Sequence, residues 1–97
     1  MSAYVVVNVD VHDPVRYQEY RKMVPATIEA YGGRFLVRGP EMHQMEGTWP
    51  RPRLVIVEFP DVESAKKWWA SPEYAPAKAL RQSISDADLV IVEGFAG

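Results

Sequence analysis

The run Asp88-Leu89-Val90-Ile91-Val92-Glu93 is apolar on both sides of any strand it forms: Leu89 and Ile91 lie on one side, Val90 and Val92 on the other. Side chains alternate across a strand, so this run needs an apolar neighbour on each face of its sheet. The same demand recurs upstream. Tyr4 to Val11 carries Val5, Val7, Val9 and Val11 on one side and Tyr4, Val6, Asn8 and Asp10 on the other. Arg53 to Phe59 divides into Leu54 and Ile56 against Val55, Val57 and Phe59. Their β-branched content suits a pleated, half-buried surface.

Helix signals separate these runs. Asp13-Pro14 reads as an N-cap followed by proline at the first helical position. Tyr17, Tyr20, Val24, Ile28 and Tyr31 then recur at helical spacing. Pro25 lies inside this stripe and deprives the Arg21 carbonyl of its helical donor, which predicts a kink. Gly32-Gly33 ends the helix, with Gly32 able to take the left-handed conformation. Arg34 to Arg38 is a strand, closed by Gly39-Pro40. The stretch 39–52 is long for a structureless loop, so Met42 to Glu46 is expected to form a short extra strand. Asp61 opens the next helix, with Val62, Ala65, Trp68 and Trp69 on its apolar side. Ser71-Pro72-Glu73 repeats the cap-plus-proline signal and starts a segment with Tyr74, Ala77, Leu80 and Ile84 on one stripe.

The order β-α-β-(β)-β-α-α-β fits the ferredoxin-like βαββαβ plan, an α+β sandwich on one domain spanning residues 1–97. Right-handed crossovers place all helices on one face of a four-stranded antiparallel sheet. The other face is left bare, and whichever parity it has, it is apolar. An apolar face of this extent is an association surface, so a homodimer through the sheet faces is expected. Composition narrows the rest. There is no cysteine, hence no disulfide or thiolate chemistry. Eleven basic against thirteen acidic side chains leave no electrostatic footprint for nucleic acid. No apolar run nears the ~18 residues of a membrane span. The N-terminus lacks a basic leader region, and the expected location is the cytoplasm.

Gly32-Gly33-Arg34-Phe35-Leu36-Val37-Arg38-Gly39, Glu46-Gly47-Thr48-Trp49, Val57-Glu58-Phe59-Pro60-Asp61, Trp68-Trp69-Ala70-Ser71-Pro72-Glu73-Tyr74 and Leu80-Arg81 together resemble the family called domain of unknown function 1330. The resemblance covers nearly the whole chain. It implies a ferredoxin-like protomer and a dimeric α+β barrel, the fold of small cofactor-free monooxygenases, haem-degrading enzymes and stress-responsive proteins. It implies no reaction. Where family members often have a Trp-Tyr pair, this chain has Trp68-Trp69.

In that superfamily the ligand lies between sheet and helices, near the long ββ connection. Arg38, His43, Glu46, Trp49, Arg53, Glu58, Trp68, Tyr74 and Arg81 are the side chains expected to converge there. Glu58, in an otherwise apolar strand, is read either as a general base with a raised pKa or ligand anchor, or as an ion-pair partner of Arg81 or Arg38, or as a strand-end surface group. His43 is the other catalytic candidate, against an exposed loop histidine. Arg81 offers a planar fork for an acidic substrate or a clamp on Glu58. Arg38, Trp49, Trp68 and Tyr74 are read as substrate-binding side chains; the alternatives are a rim or interface charge for Arg38, a plug over the core or a dimer contact for Trp49, and core packing for Trp68 and Tyr74. His12, Asp10 and Asp13 make a poor metal set, and no metal or cofactor is expected. Two functions remain. One is a dimeric barrel that binds or transforms a small organic molecule, by analogy of fold alone. The other is a non-catalytic dimeric module. A pocket of roughly 300 Å³ reached past Trp49 and holding Glu58 or His43 separates them.

Overall fold

In the computed structural model, which describes residues 1–38 and 41–95, local chemistry sets the element ends. Asp13 accepts a hydrogen bond from the Arg16 backbone N–H at 3.1 Å, and Asp61 accepts one from Ser64 at 2.7 Å. These caps open α1 (Pro14–Glu29) and α2 (Val62–Trp69). Gly32 follows α1 with φ +80°. Gly33 lets the chain pass close to the core, because a Cβ there would lie 2.7 Å from the Phe59 ring and 2.8 Å from Ile28.

Helix α1 runs unbroken through Pro25. The gap left at the Arg21 carbonyl is filled from outside the helix: Arg38 Nη2 donates to that oxygen at 2.5 Å. Ser71 does not cap a helix. Its Oγ donates to the Trp68 carbonyl and accepts from the Tyr74 N–H, bracing a turn, and α3 spans Ala75–Ile84.

The strands are β1 (Ala3–Val11), β2 (Arg34–Arg38), β3 (Arg53–Phe59) and β4 (Ser85–Glu93). The last is longer at its start than the apolar run from Asp88, because Ser85, Asp86 and Ala87 pair with Val11, Asp10 and Val9. They form one antiparallel sheet in the order β2-β3-β1-β4, which is the ferredoxin-like arrangement. The expected strand at Met42 to Glu46 is not there. Residues 41–52 are irregular, tied locally by Gln44 to Gly47 and to the Trp49 N–H. The closing Gly39-Pro40 lies outside the described residues.

Pairing settles the parity. Val5, Val7, Val9, Val57 and Phe59 are buried against the helices, with Val55, Leu89 and Ile91 partly buried beside them. The opposite face carries Val6, Leu54 and Ile56, together with Val90 and Val92, which are 54% and 44% exposed. The Cα envelope is 16 Å along its short axis. That is the thickness of one sheet and one helical layer.

Candidate functional site

Helix α1 faces the sheet with Tyr17, Tyr20, Val24 and Ile28, and the apolar spacing that formed the helix also aims these side chains inward. A cleft runs beneath it. Its walls include Trp68 from α2, Tyr74 from the turn, Arg81 from α3, Phe35 and Arg38 from β2, and Arg53 from β3. Its free volume is about 30 Å³, close to two water molecules.

Its polar groups form a chain. Trp68 Nε1 donates to Thr27 Oγ1 at 3.1 Å, and that hydroxyl donates to the Val24 carbonyl at 2.7 Å. The Trp68 ring stacks on Tyr74 with centroids 4.1 Å apart. The Tyr74 and Tyr20 hydroxyl oxygens are 2.9 Å apart, and Arg81 Nε donates to Tyr74 Oη at 3.4 Å. Burial, joined by the neighbouring Tyr74, pushes the Tyr20 hydroxyl well above its ordinary pKa. Burial also raises Tyr17, against the pull of Arg53, Arg21 and Arg81. Both phenols therefore keep their protons at neutral pH. Burial works against the charge of Arg81, and the oxygens of Tyr74, Tyr20 and Tyr17 outweigh it. At the rim, Arg38 lies 4.3 Å from the Phe35 ring centroid and Arg53 lies 4.9 Å from that of Tyr17.

The structure brings Arg38, Arg53, Trp68, Tyr74 and Arg81 together here, but not Glu58, Trp49 or His43. Glu58 pairs with Tyr4 in the sheet and its side chain belongs to the uncovered face. Its partner is neither Arg81 nor Arg38 but Arg34, directly opposite in β2, whose Nε donates to Glu58 Oε1 at 2.7 Å. The Arg34 guanidinium holds the Glu58 carboxyl below its ordinary range. That is the opposite direction to a base raised by an apolar strand. Trp49 lies over the same face, half exposed, and donates from Nε1 to Asn8 Oδ1 at 2.7 Å. His43 and Glu46 are exposed on the irregular connection. Parity is the reason: Glu58 is one residue out of step with Val57, and one step in a strand reverses the face.

Tyr17 and Tyr20 were legible only as packing and Thr27 carried no sequence signal of its own, yet they supply the hydroxyls of the cleft and the support of Trp68. The available signal was two tyrosines on α1 at positions 17 and 20, together with a threonine beside core Ile28. Among the described residues no group of three or more His, Asp or Glu is placed to hold a metal ion. No helix of the structure is long and apolar enough to cross a membrane.

A family model described as domain of unknown function (DUF1330) matches residues 2–95. Among curated proteins, none matches. Among solved structures, the chain is similar to the RPA0582 protein of unknown function from Rhodopseudomonas palustris, at 18% identity and a TM-score of 0.78, covering 99% of this chain and 84% of that one. It is similar to a dimeric ferredoxin-like protein of unknown function from Jannaschia sp. CCS1, at 12% identity and a TM-score of 0.73, covering 97% and 100%. It is also similar to SnoaB, a cofactor-independent oxygenase from Streptomyces nogalater, at 14% identity and a TM-score of 0.67, covering 99% and 95%. At these identities the likeness is one of fold.

Proposed function

The chain belongs to the DUF1330 family, and on that premise we propose that it works as a homodimer that binds a small organic molecule in the cleft between its sheet and its helices. The observation that carries the binding site is the cleft itself. Aromatic rings from two helices, a turn and one strand meet there around a buried arginine, and part of the space between them is unfilled. The ligand is enclosed only at one end. A volume of about 30 Å³ admits a polar head of two or three heavy atoms, and the remainder lies among the aliphatic stems of the rim arginines. Glu58 and His43 have no part in this site. Arg81, Tyr74, Trp68 and Arg38 are its working side chains.

The dimer reading rests on the apolar sheet face that no helix covers. One of the similar structures is a dimeric ferredoxin-like protein, and face-to-face sheets give this chain a self-complementary interface. Glu58, Arg34, Asn8 and Trp49 then border the interface. Light scattering on the eluting protein is expected to give twice the chain mass of 11.0 kDa, about 22 kDa. A strictly single-chain species at micromolar concentration overturns the dimer.

For the ligand, native mass spectrometry of the purified protein is expected to show a retained adduct, whose authentic compound raises the melting temperature. An adduct-free protein whose melting temperature no small-molecule screen raises overturns the binding reading. That result favours a non-catalytic dimeric module. The cleft volume speaks for that module, since preformed ligand pockets are roughly 300 Å³ or more.

A further inference from the structure

Resting on the binding reading above, we propose that the cleft recognises the carboxylate of a small organic acid, with Arg81 as its counter-ion. Arg81 is 5% exposed. Among the described residues no carboxylate lies within ion-pair distance of it. A buried cation without a partner is costly, and a guanidinium has five N–H donors to satisfy. The structure gives it one long side-chain hydrogen bond, from Nε to Tyr74 Oη. No buried side-chain nitrogen or oxygen of the described residues lacks a partner unless it keeps some accessible surface. The two Nη groups, which make no hydrogen bond among the described residues, therefore each keep some accessible surface.

The surroundings select an anion over a neutral group. The cleft is lined by Arg21, Arg38, Arg53 and Arg81, with no Asp or Glu among its walls. Arg81 also borders an outer groove that includes Asp86, and the Asp86 carboxylate is bonded to His12 at 2.9 Å. The Tyr20–Tyr74 pair makes one hydrogen bond from two hydroxyl hydrogens. One hydrogen is left to donate beside the guanidinium.

Size and polarity then narrow the anion. The enclosed volume matches the two oxygens of a carboxylate, which the planar fork of an arginine holds with two parallel hydrogen bonds. Val5, Val7, Val24, Val57 and Trp68 make the rest of the wall apolar. A carboxylate carrying a short apolar tail satisfies both parts, whereas a phosphate has two more oxygens to fit into the enclosed volume and no apolar tail to set against the valines.

The test is a matched pair of probes, butyrate and butyramide, that share a shape and differ in charge. They are titrated into ¹⁵N-labelled protein at constant ionic strength, reading the Arg81 Nε–H resonance, with inorganic phosphate as a third arm. Butyrate is expected to saturate the shift at least tenfold more tightly than butyramide or phosphate. Arg81→Met, read from the Trp68 Nε1–H resonance of the same cleft, is expected to abolish butyrate binding, and Tyr20→Phe to weaken it severalfold. Equal binding of butyrate and butyramide overturns the carboxylate proposal and leaves the small-molecule cleft standing. Preference for phosphate overturns it as well. If neither organic probe shifts the resonance the proposal falls, and the adduct experiment then decides the wider reading separately. Should Arg81→Met fail to fold, the matched pair on the unaltered protein decides alone.

Discussion

Replacing Pro25 and Arg38 singly and together tests whether a helix defect is what holds Arg38 in place. Pro25 has no N–H, so the Arg21 carbonyl has no i+4 donor, and Arg38 Nη2 occupies it at 2.5 Å. Arg38→Met keeps the aliphatic stem and removes the guanidinium. A hydrogen bond from a charged donor contributes about 1.5–3 kcal/mol, and partial exposure of Arg38 argues for the lower end. Loss of its contact with the Phe35 ring adds about 0.5 kcal/mol. The single change is thus expected to cost about 2 kcal/mol. At about 4–8 °C per kcal/mol for a chain of this size, the melting temperature falls by roughly 8–16 °C. Pro25→Ala restores the missing N–H and is expected to raise the melting temperature. In that background Arg21 already has its donor, so Arg38→Met should cost about 1 kcal/mol less. The coupling comes from denaturant titration of the four proteins at one protein concentration, since a dimer makes stability concentration-dependent. Additivity within about 0.3 kcal/mol would refute the argument, because Arg38 would then be indifferent to the gap.

Other outcomes follow from the same geometry. Thr27→Val preserves shape but leaves the buried Trp68 N–H without an acceptor, at a cost of about 1–3 kcal/mol; thermal melting should place Thr27→Ser closer to the parent, and the reverse order would remove this bond from the account. Glu58 is held below the ordinary glutamate range by Arg34, so the pair stabilises the fold at pH above that range. The contribution is lost as pH falls through the depressed folded value. Melting curves should therefore separate Glu58→Gln from the parent at neutral pH and bring them together in acid, while butyrate binding in the cleft is unaltered by this change. Val90→Asp puts a charge on the uncovered sheet face where the side chain is 54% exposed in the single chain. Light scattering should find it monomeric with its far-ultraviolet spectrum intact, and an unaltered dimer would move the interface elsewhere.

What could be read directly from the residues was the chemistry that acts over a few positions. The caps at Asp13 and Asp61, the turn at Gly32 and the two-faced strands are local patterns, and they were enough to order the elements and name the fold. The partner of Glu58 was not local. It follows from the β2–β3 register, which sets Arg34 opposite it, and composition offered Arg38 and Arg81 as equals. Trp49 was left open between a pocket wall and a dimer contact for the same kind of reason. A tryptophan on a long connection could close either side of the sheet, and its bond to Asn8 is made 41 residues away. Ser71-Pro72 gave a genuine capping signal, but Ser71 spends its hydroxyl on the Trp68 carbonyl and the Tyr74 N–H, which braces a turn before α3 begins. The tyrosines of α1 were placed correctly on the inner stripe. Their hydroxyls gain meaning only from Tyr74 and Arg81, which arrive from the other end of the chain.

The two-faced character of β4 bears on how its alignment is remembered over generations. Sliding β4 by one residue along β1 exchanges Leu89 and Ile91 for Val90 and Val92, so oiliness alone hardly separates the correct alignment from the shifted one. The discrimination comes from Asp86 and Asp88, which share the open face with Val90 and Val92 and which a slip would turn toward the helices, and from the strand's ends. At one end the His12 N–H donates to the Ile84 carbonyl at 2.7 Å, and at the other the Gly94 N–H donates to the Ser2 carbonyl at 2.7 Å. A Cβ on Gly94 would lie 2.7 Å from that same Ser2 oxygen. The apolar centre of β4 therefore says little about where the strand sits, while Asp86, Asp88 and the small residue just past its end carry that instruction.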